Sequence, residues 1–341
     1  MNCNIAGVNR VRFLRIAWVL MAIGSWIYAA EFVSQGGELF ENASDGRTAA
    51  MAYSSVSSAA GPASIFSNPA LALNDGRSIL LFTHVDQFAG VVNRDMFAYR
   101  IGKLRNGIVT VGLVNRSIDD IPDTRNAMIS LDADGPHLDY DAISHFSQNE
   151  IGFVLSYAAL FRDKHAIGIN AKPVFTSLGD YSAWGLGFDL GYFLQIRGNL
   201  SAGVFLQDIT TTFIKWNTGT TELIPPRVVV GGSYTRDHLL LSCDLSGRLG
   251  EENPDQGITI GGQTLHYNLG TAWKIVEDFQ ILAGTSSLHG YTFGFSLTRD
   301  FFSFNYAFLS PPIQSVLKNS HQFGIALDLN KLRQIQKWIE P

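Results

Sequence analysis

Three groups of residues in this sequence have types and spacings that chemistry uses. Asp132-Ala133-Asp134-Gly135 opens like a calcium-binding loop, and Asp139 and Asp141 follow it. Oxygen ligands at alternate positions suit a hard divalent ion, but such a loop closes on a bidentate Glu, and Ile143 stands there instead. These acids read as a solvated external loop, and no metal ligand is assigned. His145-Phe146-Ser147 would put a base and a hydroxyl on one face of a strand. A nucleophilic Ser also needs a third group to orient its base, and residues 150–161 hold no Asn or Asp. Gly185, Gly187 and Gly191 have the wrong spacing for a dinucleotide loop and fall inside a strand pattern, so they read as glycines that permit close packing. There is no P-loop, no Gly-x-Ser-x-Gly and no His-Glu-x-x-His. The expectation is a protein that is not an enzyme, with no catalytic residue, metal or cofactor, and no ligand-binding residue stands out.

The elements around these residues alternate with period two. From Ala183 to Ile196, Trp184, Leu186, Phe188, Leu190, Tyr192, Leu194 and Ile196 share one face. Ala183, Gly185, Gly187, Asp189, Gly191 and Gln195 share the other, with Phe193 the exception. Period two is a strand. The run exceeds the ~5–6 residues of an ordinary strand and reaches the ~9–11 needed to cross a bilayer at a tilt. The pattern returns at 151–161, 265–275, 291–298, 302–308 and 322–329. Adjacency in such a strand predicts Phe188 facing lipid and Asp189 facing the lumen. If that inner face were wet, Asp189→Asn would barely matter.

Fourteen strands are expected between residues 78 and 329, at about 78–87, 90–101, 107–118, 150–161, 165–176, 183–196, 199–208, 226–235, 238–246, 264–275, 278–286, 290–298, 301–308 and 320–329. Every even-numbered connection is short, and every long one, such as 119–149, 209–225 and 247–263, is odd-numbered. A soluble sandwich has no reason to sort its loops by parity, whereas outer-membrane barrels have short periplasmic turns and longer external loops. The fold expected is all-β: a transmembrane antiparallel β-barrel in the bacterial outer membrane, with the lipid bilayer as its surroundings.

Charged residues make up only 16% of the 341, yet no continuous apolar run follows the first thirty. Alternation in a membrane barrel accounts for both facts. Residues 1–30 read as a cleaved signal peptide, with Arg10, Arg12 and Arg15 before the apolar run Ile16–Ile23 and small residues near Ala29 and Ala30. Its loss removes three positive charges and moves the net charge from -5 to -8. An acidic mature chain argues against nucleic acid as a partner. Cys3 leaves with the signal, so Cys243 has no partner for a disulfide. After residue 329 a short periplasmic tail, 330–341, is expected, with Leu332, Ile335 and Trp338 at helical spacing.

Residues 31–77 do not alternate and are rich in Ala, Ser and Gly. Pro69 fixes its own φ and biases Asn68 away from helix, which makes a rigid turn. The segment is expected to fill the lumen as an N-terminal plug, with Asn68, Pro69 and Ala70 as its structural motif. Gly46-Arg47-Thr48-Ala49-Ala50-Met51-Ala52 and Ala63-Ser64-Ile65-Phe66-Ser67-Asn68-Pro69-Ala70-Leu71-Ala72 resemble the N-terminal segment of the PorV/PorQ family of FadL-like outer-membrane proteins. Leu178–Ala183 with Phe188–Tyr192, Leu206–Ile209, and Leu223–Pro226 with Gly231–Tyr234 follow in the family's order. Paired glycines often follow the Ala-Met step in that family, and here Ala52 and Tyr53 take those places. The resemblance implies a non-enzymatic barrel in type IX protein secretion or surface attachment, binding secretion-system proteins or secreted cargo. The alternative it leaves open is a FadL-like transporter for uptake of hydrophobic compounds.

Overall fold

A computed structural model describes residues 39–74, 79–132, 135–250, 257–260, 263–312, 315, 317–332 and 334. The expected signal peptide, 1–30, lies outside the described residues. So does most of the expected tail, of which only 330–332 and 334 are described, continuing a helical turn that begins at 329.

Fourteen antiparallel strands make the wall: β1 Ile79–Gln87, β2 Val92–Leu104, β3 Gly107–Asp123, β4 Ser144–Arg162, β5 His165–Leu178, β6 Tyr181–Arg197 and β7 Leu200–Gln207, then β8 Arg227–Arg236, β9 Leu239–Arg248, β10 Gln263–Val276, β11 Phe279–Ser286, β12 Thr292–Arg299, β13 Phe302–Leu309 and β14 Ser320–Asp328. Each pairs with its neighbour in sequence, and β14 pairs back onto β1, from Ile79 opposite Asp328 to Asp86 opposite His321. Closure removes the sheet edges, as lipid requires, because hydrocarbon cannot satisfy an unpaired backbone group.

All six even-numbered turns are two residues long: 105–106, 163–164, 198–199, 237–238, 277–278 and 300–301. Arg105, Asp237 and Asp300 adopt the left-handed conformation that tight hairpins demand. The long odd connections hold structure that alternation did not reveal. Thr212–Trp216 and Thr221–Ile224 form a hairpin that extends the outer end of β6. Met128–Asp132 and Gly135–Leu138 form another, and Ile258–Ile260 pairs with β10. β3 and β4 also run past their expected ends, pairing as far as Asp123 opposite Ser144.

Faces follow the expected parity. Trp184 and Phe188 point outward, 52% and 38% exposed, while Ala183, Gly185, Gly187 and Asp189 are buried inside. Across β4, β5 and β6 the outward row Ile151, Phe175, Trp184 is succeeded toward the external end by Asn149, Ser177, Ser182. That step from apolar to polar is the outer boundary of the lipid-facing belt.

Residues 39–74 lie against the inward faces. They hold one short helix, α1 Gly46–Ala50, whose cap Asp45 accepts a hydrogen bond from the Thr48 amide, and two 3-10 turns, Pro62–Phe66 and Pro69–Leu73. Ile65 and Phe66 pack with Met96, Val114, Val154 and Val174. Ala49, Ala50 and Met51 pack with Ala272, Leu282 and Ala307.

Candidate functional site

Asn68 is wholly buried. Its side-chain amide donates to the Val56 carbonyl at 2.7 Å and to the Tyr192 carbonyl on β6 at 3.0 Å, and its Oδ1 accepts from the Ala70 amide at 3.1 Å. One side chain thus closes a turn within the segment and ties that turn to the wall. Pro69 opens the next 3-10 turn, where its missing N–H costs nothing. The wall makes room with glycine: a Cβ at Gly168 would lie 2.4 Å from the Ala70 nitrogen, and one at Gly191 would lie 2.2 Å from Asn68 Oδ1. The three motif residues are therefore brought together against β5 and β6.

Beside this contact lies an ionic cluster that sequence reasoning missed. Lys172 on β5 sits 2.6 Å from Asp189 Oδ1 on β6 and 2.7 Å from Asp208 Oδ1, just past β7, and all three are at most 5% exposed. The Asn170 amide donates to Asp189 Oδ2 at 2.9 Å and to the Ile65 carbonyl at 2.8 Å. Thr212 Oγ1 donates to Asp208 at 2.6 Å, and the Phe40 ring covers the ammonium at 4.9 Å from its centroid. The inner face at Asp189 is therefore not wet, and the condition under which Asp189→Asn would barely matter does not hold. The carboxylate points inward as expected, but the segment 39–74 seals it from water. Parity was the available signal, since it puts Asn170, Lys172 and Asp189 on one inner face.

Pro173 interrupts the hydrogen-bond ladder of the wall. The β4–β5 register runs from Gln148 opposite Leu178 to Gly152 opposite Val174, then resumes at Leu155 opposite Ala171. Phe153 and Val154 do not pair with Pro173 and Lys172, because proline offers no N–H to the ladder. On the other side Pro173 stays in register with Leu186. This missing pairing lies inside the lipid-facing belt, two residues below the boundary row at Phe175, and the strands keep the same register on either side of it. On its inner side, a Cβ added at Gly152 would lie 2.4 Å from the Phe40 ring.

A cavity of about 850 Å³ occupies the external mouth, where Glu41, Arg94, Arg116, His266 and His289 meet Phe88, Leu309 and Leu317. A smaller one, about 320 Å³, opens by the turn at 237–238 and is lined by Arg47, Ser57, Asn74 and Lys274. The two share no lining residue, and the packed segment lies between them. At the mouth, Glu41 Oε1 is 3.5 Å from Arg227 and Oε2 is 3.3 Å from Arg248. Burial opposes ionisation there, but these two guanidiniums outweigh it and hold the Glu41 carboxyl below the usual carboxylate range. Burial pushes His289 down to about 4, so it is neutral at pH 7. Its ring lies 5.4 Å from that of Tyr53. Ala52 and Tyr53, where the resembled family often has glycines, both adopt positive φ, 52° and 62°. A side chain in that conformation costs roughly 1–2 kcal/mol per residue, so packing inside the lumen must hold this bend in place.

Asp134 and the Asp132 side chain lie outside the described residues, and among the described residues the other chemistry-bearing side chains are not assembled into a site. His145 lies 3.8 Å from Asp120, and both side chains are half or more exposed. Ser147 is exposed as well. Asp139 caps a three-residue turn by accepting from the Asp141 amide. Among the described residues no cluster of His, Cys, Asp or Glu is arranged to hold a metal ion.

No family model matches this sequence, and no curated protein matches it. Solved structures do match in fold. The Ralstonia pickettii toluene transporter TbuX superposes with a TM-score of 0.58 at 12% identity, over 85% of this chain and 99% of that one. The fold is that of the FadL-like barrels. The Pseudomonas putida toluene transporter TodX gives 0.59 at 13% identity, over 83% and 96% of the two chains. A Pseudomonas aeruginosa FadL homologue gives 0.54 at 10%, over 84% and 98%. A closed FadL-like barrel of fourteen strands, apolar outside and filled within, is a bacterial outer-membrane protein.

Proposed function

We propose that this chain is a non-enzymatic outer-membrane channel for small apolar compounds, which reach or leave its interior through the wall at Pro173. The interrupted ladder carries the reading. A general porin needs an open aqueous bore, and here residues 39–74 pack across it. An apolar solute needs no such bore. It needs a place where the lipid-facing belt can give way next to an apolar interior, and the β4–β5 ladder is unpaired where Phe153 faces lipid and Gly152 meets Phe40 within. The fold neighbours support the same direction, two of them being described as toluene transporters.

Pro173→Val tests it. Valine restores the missing N–H and suits a strand, so the ladder should close and the barrel should become slightly more stable. Uptake of a labelled apolar compound by cells that depend on this protein should fall several-fold. Undiminished uptake, with the variant at normal outer-membrane level, sinks the wall route.

A second reading follows from the PorV/PorQ resemblance: a secretion component that binds protein partners through its external loops. The long β3–β4 connection, which carries its own hairpin at Met128–Asp132 and Gly135–Leu138, favours it. Deleting 124–143 would then abolish recovery of a protein partner and leave apolar uptake intact.

A further inference from the structure

We propose that Glu41 is an electrostatic latch that spans the external mouth and holds residues 39–50 of the luminal segment shut. Its main chain and side chain are gripped from opposite walls. The Glu41 carbonyl accepts a hydrogen bond from Arg94 Nη1 on β2 at 2.9 Å. Its carboxylate faces Arg227 at the start of β8 and Arg248 at the end of β9, at 3.5 Å and 3.3 Å. β2 and β8 are six strands apart in a ring of fourteen, which places them nearly diametrically across the lumen. A single residue therefore ties the two sides of the barrel together over the apolar contacts of Leu39 and Phe40.

The arginines are themselves fixed. Arg227 donates to Ser246 Oγ at 3.1 Å, and Arg248 donates to the Pro225 carbonyl at 2.9 Å. Their positions are set by the wall, so the segment is the part that moves when the latch opens. Phe40 lies directly beneath Glu41 in sequence, covering both the inner side of the unpaired ladder beside Gly152 and the Lys172 ammonium. Release of Glu41 would free Phe40 first.

Other titratable groups face the latch. His266 on β10 and His289 in the connection after β11 line the same cavity as Glu41, and the Tyr53 ring lies 5.4 Å from that of His289, tilted by 50°. The carboxyl is held below the ordinary carboxylate range. Its contribution is therefore complete at neutral pH and is lost only as pH falls through that depressed value. Mild acid does not open the latch, so the substitution Glu41→Gln is the direct probe.

The role of the latch as a gate rests on the channel reading, but its existence does not, and hydrogen exchange separates the two. In protein reconstituted in nanodiscs at pH 7, amides of residues 39–50 in Glu41→Gln should exchange about tenfold faster or more than in the parent, by local opening. Residues 62–73 should keep their protection. Arg227→Gln with Arg248→Gln should have the same effect, and combining all three changes should add nothing further, as expected of groups acting as one unit. Unchanged exchange in 39–50 overturns the latch. So does acceleration that extends equally through 62–73, which would mean general loosening. If exchange behaves as expected but apolar uptake does not rise, the latch stands and the channel reading fails.

Discussion

Lys172→Met should destabilise the barrel by about 3–5 kcal/mol, as removal of one partner from a buried ion pair does elsewhere. The methionine keeps the length of the stem and removes the charge. Asp189 and Asp208 are then left facing each other without the cation that lies 2.6 Å and 2.7 Å from them. Two carboxylates cannot stay ionised side by side in a site at most 5% exposed. The loss would be read as a lowered urea midpoint in detergent micelles or lipid vesicles. Adding Asp189→Asn and Asp208→Asn should recover part of it, because three neutral groups leave no buried charge unpaired. A Lys172→Met barrel as stable as the parent would mean that water reaches the cluster and that the segment 39–74 does not seal it.

Deleting residues 39–74 should turn a silent barrel into a steadily conducting one. The parent should show negligible current in a planar bilayer, since the cavities at its two ends, about 850 Å³ and 320 Å³, share no lining residue. Without the segment, the inward face of the wall is polar and small. Thr110, Ser156, Asn170, Ser242, Asn268 and Asn305 are all buried there now and would meet water instead. A ring of fourteen strands is wider than the ~8-strand barrels whose interiors side chains alone can fill. Folding of the deleted form is checked by its migration on an unheated gel. A folded deletion form that stays silent would show that the bore is closed by something other than this segment.

The architecture was legible because a membrane barrel writes its constraints into every strand. Alternation from Trp184 to Ile196 assigned inner and outer faces that the structure keeps, including Phe193, which turns inward to pack with Ala59 and Leu71. Loop parity marked the two ends. Extramembrane structure was less legible, because no bilayer enforces alternation there. Even so, Thr212-Phe213-Ile214-Lys215-Trp216 followed by Asn217-Thr218-Gly219 is a strand and turn signal that treatment of 209–225 as one loop passed over. The candidate site is contiguous in sequence only in part. Asn68-Pro69-Ala70 is contiguous, whereas Lys172, Asp189 and Asp208 come from separate elements. They meet only once the register of β5 on β6 is known, with Lys172 opposite Gly187 and Asn170 opposite Asp189. Pro173 was visible in the sequence too. Its meaning depended on its lying in a strand paired on both sides, where proline is normally excluded.

A filled barrel with a wall route must select apolar over polar solutes, and one comparison measures that selectivity. Cells with an intact lipopolysaccharide leaflet, with and without this protein, are given a labelled aromatic hydrocarbon and a labelled sugar of similar size. The protein should speed entry of the hydrocarbon several-fold and leave entry of the sugar unchanged. Equal acceleration of both solutes, or of the sugar alone, would contradict a filled barrel that passes apolar compounds through its wall.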